Sequence, residues 1–140
     1  MKLISEIFTE FKQCESREDK IAVLRFNQDW ALRNLLKGTF DPNVQFVFDK
    51  APDYRPSDAP DGFGHTTIAQ ELGRAYLFER NNPKVSPNLS QDRKEQLLIQ
   101  ILEALDATEA EVFMNMILKD QKVDGLTYEI VKEAFPDLLP

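Results

Sequence analysis

The chain has 140 residues, with 24 Asp+Glu against 17 Lys+Arg and a formal net charge of -7. Its 42% apolar and 29% charged residues exclude wholesale disorder and fibrous repeats, and the length fits one helical domain over residues 1–140. One Cys and one His exclude a disulfide framework and a His-rich zinc site, and the acidity argues against coating nucleic acid through bulk charge. The start, Met1-Lys2-Leu3-Ile4-Ser5-Glu6, turns polar too early for a secretory signal. No run approaches the ~20 apolar residues of a membrane span. An intracellular protein is expected, with Cys14 as a reduced thiol.

Leu3, Ile4, Ile7, Phe8 and Phe11 fall at helical spacing and predict a first amphipathic helix over about residues 2–13. Ser16 and Asp19 resemble a capping box that opens a second helix, with Ile21 and Leu24 on its apolar stripe. Asn27 is the expected cap of a third helix carrying Trp30, Ala31, Leu35, Leu36 and Phe40, which ends before Asp41-Pro42. Gly38 either lies within that helix or ends it.

Residues 41–66 read differently. Pro42, Pro52, Pro56 and Pro60, with Gly62 and Gly64, break any long helix and predict a long extended loop over the bundle. Phe46 and Phe48 are expected to plug gaps between helices. Thr66 or Thr67 then starts a fourth helix through Ile68, Leu72, Ala75 and Phe78. Ser90 caps a fifth, whose Leu97, Leu98, Ile101, Leu102 and Leu105 make the strongest apolar stripe in the chain. Asp106 and Glu109 form a capping pair for a sixth, with Val112, Phe113, Met116 and Ile117 on one face. Gly125 ends a connector, Thr127 caps a last helix, and Pro136 stops it. Seven helices and no credible sheet predict an all-α orthogonal bundle.

The negative charge is uneven. Residues 1–50 carry 8 acidic and 8 basic side chains, whereas residues 91–140 carry 11 and 5. Asp92, Asp106, Glu109, Glu111 and Glu129 lie in caps or first turns, where negative charge complements the helix dipole. What remains is a solvated acidic face, or one that docks a basic partner.

Lys122-Val123-Asp124-Gly125 matches the Lys-x-Asp-Gly signature of nucleotidyltransferases, but the 15 residues after Gly125 are too few to build a nucleotide pocket. Gly62-Phe63-Gly64 is no phosphate loop, lacking a preceding strand and a following Lys-Ser/Thr pair. His65 has no nucleophile or orienting carboxylate at a recognisable spacing. Asp49, Asp53, Asp58 and Asp61 lack the alternation and closing Glu of a calcium loop. No catalysis, cofactor or metal is therefore expected. For nucleic acid, Lys119 and Lys122 flank a turn leading to the Thr127 helix start, where backbone N–H groups and ammoniums can meet a phosphate. The plainer reading has these lysines offset nearby Asp120, Asp124 and Glu133.

The run Glu18-Asp19-Lys20-Ile21-Ala22-Val23-Leu24-Arg25-Phe26-Asn27, with Leu32-Arg33-Asn34-Leu35-Leu36 and Asp41-Pro42-Asn43-Val44-Gln45-Phe46, resembles the amino-terminal helical domain of ATP-dependent DNA ligases. The tail, from Leu118-Lys119-Asp120 through Gly125, Ile130 and Lys132 to Phe135-Pro136 and Leu138-Leu139-Pro140, is similar to the end of that domain. The whole chain also resembles a small protein family of T-even-like tailed phages. The resemblance implies a non-catalytic phage accessory protein in the host cytoplasm or the virion, binding duplex DNA weakly or within a complex. Its implied contacts are Lys119, Lys122, Gly125, Thr127 and Lys132, and Arg33 and Lys37 would extend the same basic strip. The sequence departs from the ligase pattern in lacking the catalytic domain, in placing Gln121 where an apolar residue is expected, and in being acidic where the ligases grip DNA. The alternative is a protein-interaction module or structural phage component that docks a basic host or phage partner through the acidic carboxyl-terminal face.

Overall fold

A computed structural model of the protein describes residues 2–140. Its axis is α6 (Ala107–Ile117), in which eight of eleven residues are buried, including Phe113, Met116 and Ile117. Such a helix must be wrapped on several sides, since a helix that is apolar nearly all round is stable only inside a core. Helices α1 (Ile4–Gln13), α3 (Trp30–Phe40), α4 (Ile68–Leu72) and α5 (Gln91–Ala104) all pack against it, while α2 (Arg17–Phe26) bridges α1 and α7 (Tyr128–Ala134). The fold is all-α, as the sequence predicts, with seven α-helices and a single 3-10 turn at Ala75–Phe78 among the described residues. Phe11, Leu24, Leu32, Leu35, Leu36, Phe78, Leu98, Leu102 and Phe113 are fully buried, each contributing roughly 1.5–3 kcal/mol from burial.

Most helix starts follow the sequence. Ser16, Thr67, Ser90, Asp106 and Thr127 each accept a hydrogen bond from a first-turn backbone N–H. Three expectations need correction. Asn27 is not the cap of α3: it ends α2, its Nδ2 donating to Val23 O, and Asp29 Oδ1 accepts from Leu32 N–H instead. A carboxylate two residues on therefore takes the role, leaving room for the α2–α3 turn. The fourth helix breaks at Gly73, and the chain continues as the 3-10 turn that buries Ala75 and Phe78. Trp30 is not on the buried stripe of α3 but 56% exposed, and Phe26 at the end of α2 is 85% exposed.

Gly38 lies inside α3, where a Cβ would stand 2.6 Å from Met116 Sδ. That close approach, rather than a helix end, explains the glycine. Phe46 is buried and Phe48 half-buried, the latter edge-on to Phe78 with ring centroids 5.9 Å apart. The only β pairing among the described residues is an isolated bridge between Phe46 and Glu79.

The far end of the 41–66 segment is latched to the start of α6. Asp106 accepts from the N–H groups of Gly62, Thr108 and Glu109 and from the Thr108 hydroxyl. Burial opposes ionisation of Asp106, but these hydrogen bonds outweigh it and hold its carboxyl below the usual range. Glu109 does not close a capping box. Its Oε2 accepts from the N–H of Ile68 at 2.9 Å, tying α4 to α6. Burial pushes the Glu109 carboxyl up to about 7, against the Ile68 hydrogen bond and with help from adjacent Asp106. No described helix is long and apolar enough to cross a membrane.

Candidate functional site

Of the seven residues singled out from the sequence, Arg33, Lys37, Lys119 and Lys132 meet where α3 adjoins the connector and the carboxyl-terminal tail, whereas Lys122 faces α1 and α6 and Gly125 lies against Lys20 of α2. The structure turns most of their charges inward. Lys119 Nζ donates to the carbonyls of Gly38 at 2.7 Å, Asp41 at 2.8 Å and Val44 at 2.5 Å. Its three N–H donors are thereby spent on the last turn of α3 and the start of the extended segment. Burial lowers the Lys119 pKa, with Asp41 and Glu79 pulling it back. Lys37 pairs with Asp41 at 2.7 Å and also donates to Leu138 O. Burial disfavours the Asp41 charge, but Lys37, the N–H of Asn43 and Lys119 more than offset it, leaving its pKa lowered.

The tail receives the rest. Arg33 meets Asp137 at 2.8 Å and lies over the Phe135 ring, while Lys132 donates to Leu139 O at 3.1 Å. Tyr128 donates to Pro140 O. These contacts hold buried Leu138 and Leu139 against the core. Lys20 and Arg25 follow the same rule elsewhere, donating to Phe11 O at the end of α1 and to Glu133 O and Ala134 O at the end of α7. Helix C-termini leave carbonyls without intrahelical partners and carry partial negative charge, so cations from other elements settle there.

Lys119 is therefore corrected from a phosphate contact to an internal clamp. Arg33, Lys37 and Lys132 are engaged with the chain itself. Of the seven, only Lys122 carries an ammonium without an ion-pair or hydrogen-bond partner among the described residues. Lys119 and Lys122 both hold left-handed backbone, at φ 63° and 57°. Gly125, at φ 84°, sits against the Lys20 side chain, and Thr127 caps α7 through the N–H of Ile130.

The carboxylates at the start of α5 behave oppositely. A cleft of about 490 Å³ lies between residues 47–52 and the first turns of α5. Val47, Phe48, Ala51 and Pro52 supply apolar surface, and Asp49, Asp92 and Glu95 surround it with only Lys50 of the opposite sign. Asp92 and Glu95 form no ion pair among the described residues, and Asp49, 96% exposed, reaches Arg80 only at 3.8 Å. Gln91 Nε2 donates to Val47 O at 3.4 Å and joins the two walls. Asp92 complements the dipole of α5, but Glu95 lies a turn further on, where that account weakens. The sequence marks the carboxyl-terminal acidity, yet nothing in it brings residues 47–52 to this acidic turn. Among the described residues no group of three or more potential ligands can hold a metal ion.

Fold and surface together define an acidic all-α domain in which Lys119, Lys37 and Arg33 brace the seam while Asp92 and Glu95 line a cleft beside α5. The chain belongs to a family of unknown function, DUF6433, whose profile matches residues 7–125. That span includes both walls of the cleft and ends at Gly125. A search of curated proteins finds no match.

Proposed function

We propose that this is a non-catalytic protein-interaction module that receives a basic segment of a partner in the acidic cleft between residues 47–52 and α5. The observation that carries this reading is the contrast between seam cations committed to backbone carbonyls and Asp92 and Glu95, which line the cleft without an ion pair among the described residues. A Lys or Arg side chain suits such a place, laying its apolar stem on Val47, Phe48 and Pro52 while its head meets Asp92 and Glu95. Exposed Phe26 and Trp30 support the same class of function, since large apolar side chains held in solvent are typical of contact surfaces. The phage setting, as accessory or particle component, rests on the resemblance alone.

Duplex DNA is the competing reading, and Lys122 is the observation that favours it. Binding of fluorescent peptides with a central Arg or Lys and apolar flanks, measured beside nicked and intact duplex DNA, separates the two. A peptide signal lost in Asp92→Lys plus Glu95→Lys supports the cleft. A DNA signal that weakens with salt and with Lys122→Glu, without any peptide signal, supports the ligase-like alternative.

A further inference from the structure

Residues 62–68 form a strap across the corner between α5 and α6, and buried carboxyls hold it at its anchors. Gly62 N–H donates to Asp106 Oδ2, the Thr66 hydroxyl to Glu71 Oε2 at 2.7 Å, and Ile68 N–H to Glu109 Oε2. Thr66 N–H also donates to Ala104 O at 3.2 Å. Gly64 lies so close to the corner that a Cβ there would stand 2.6 Å from Asp106 N and 2.8 Å from Ala104 O. Between the anchors Phe63 is 77% exposed and His65 is exposed, so apolar packing does little to hold residues 62–66 down. Their closure rests on polar contacts.

Asp106 and Glu109 are both buried, and neither pairs with a cation among the described residues. Their carboxyls hydrogen-bond to each other, which two carboxyl groups can do only across a proton. Asp106 already accepts from four other donors, so that proton resides on Glu109. Glu71 differs in having Arg74 at 3.1 Å. The other charged groups on the surrounding elements are engaged. Lys2 pairs with Glu10, Glu6 accepts from Leu3 N–H, Asp29 from Leu32 N–H, and Glu103 from Arg55 N–H. Leu3, Ala31, Gly62, Ile68 and Glu109 line a hollow of about 230 Å³ beside the two anchors. Water entering it once the strap lifts can hydrate a carboxylate.

We propose that residues 62–68 are a proton-controlled strap: the proton shared by Asp106 and Glu109 keeps it closed, and loss of that proton frees the Gly62 and Ile68 anchors and opens the apolar hollow beside them. The closed strap holds a proton that the open strap releases. Burial is the main cause that raises the Glu109 carboxyl from 4.5 to about 7, with Asp106 assisting and the Ile68 N–H opposing. Closure is therefore firmest below about pH 4.5 and weakens as pH rises through 7. The inference is independent of the acidic cleft, which shares no lining residue with this hollow.

The test is amide hydrogen exchange of the full chain by NMR between about pH 5 and 8, each rate divided by its intrinsic value at that pH. The opening equilibrium at Gly62 and Ile68 should rise about tenfold per pH unit near pH 6 and level off above about 7. At about pH 7 it should exceed that of core Leu98 and Leu102 by about a hundredfold or more. Equal opening at all four amides would mean unfolding of the whole domain and overturn the strap, as would a flat profile at Gly62 and Ile68. Glu109→Gln should remove the rise and His65→Asn should leave it; the reverse would assign the switch to the histidine and overturn the proposal. Carboxyl 13C shifts supply a readout that needs no variant: Glu109 should titrate near pH 7, and a midpoint below about 5 would overturn the shared proton. Gly64→Ala, whose Cβ has no room at the corner, should open the strap and bring the Glu109 midpoint down with it. Faster exchange with an unmoved midpoint would contradict the coupling.

Discussion

The seam around Lys119 and the cleft beside α5 use charge in opposite ways. At the seam, Lys37, Lys119, Lys132 and Arg33 point into the chain and satisfy carbonyls or a tail carboxylate. At the cleft, Asp92 and Glu95 point outward and pair with nothing described. A net charge of -7 therefore does not by itself describe the accessible surface, because both signs do internal work: Asp41, Glu71, Asp106 and Glu109 are buried, and Lys119 is spent on carbonyls. Counting charges along a sequence cannot reveal this, whereas locating their partners does.

The largest effect should come from emptying the seam. Lys119→Met removes the ammonium from three carbonyls and should cost about 3 kcal/mol, read by urea unfolding. Lys122→Met, three residues on, should stay within about 0.5 kcal/mol. Similar losses for the two would erase the inward–outward distinction.

Asp106→Ala tests whether a buried carboxylate can brace as the seam cations do. It removes the α6 cap and the anchor of Gly62 together, and should cost about 2–3 kcal/mol in the same measurement. Glu109 adds a pH dependence. Its carboxyl rises from 4.5 to about 7 on folding, so between those values the folded chain holds more protons than the unfolded one. Stability contributed by this group is full below about pH 4.5, falls as pH rises through 7, and is flat above. Glu109→Gln keeps an acceptor for the Ile68 N–H and carries no charge. It should flatten that slope and raise stability at pH 8 by about 2 kcal/mol.

The smallest stability effect belongs to the cleft. Asp92→Lys plus Glu95→Lys should cost under about 1 kcal/mol, chiefly through the α5 dipole, since no described ion pair is broken. A large loss would mean that these carboxylates brace the fold, and the contrast with the seam would fail.

Much of the architecture is legible in the residues. Apolar spacing placed all seven helices, and Ser16, Ser90, Asp106 and Thr127 mark their starts because a short polar side chain before an apolar stripe has few other uses. What fails depends on tertiary contacts. Gly73 breaks a helix whose apolar spacing continues through Phe78, because Phe78 is needed against Phe48. Trp30 matches a buried stripe by spacing yet lies at the exposed corner of α3. The candidate sites were less legible. Lys119 and Lys122 look alike in sequence, and only the folded path of residues 38–44 decides that one is consumed. The Gln121 substitution in the ligase-like turn was visible, but its amide donates to Thr39, far away along the chain. Residues 47–52 and 91–95 meet only through folding, so no local motif announces the cleft.

The most direct test of the account is an amide NMR titration of the full chain with an Arg-centred peptide, run beside duplex DNA at matched ionic strength. The account predicts peptide-induced shifts confined to residues 47–52 and 91–95, and their loss in Asp92→Lys plus Glu95→Lys with the remaining spectrum unchanged. Shifts from DNA around Lys122 and Thr127, with the cleft silent toward the peptide, would contradict it.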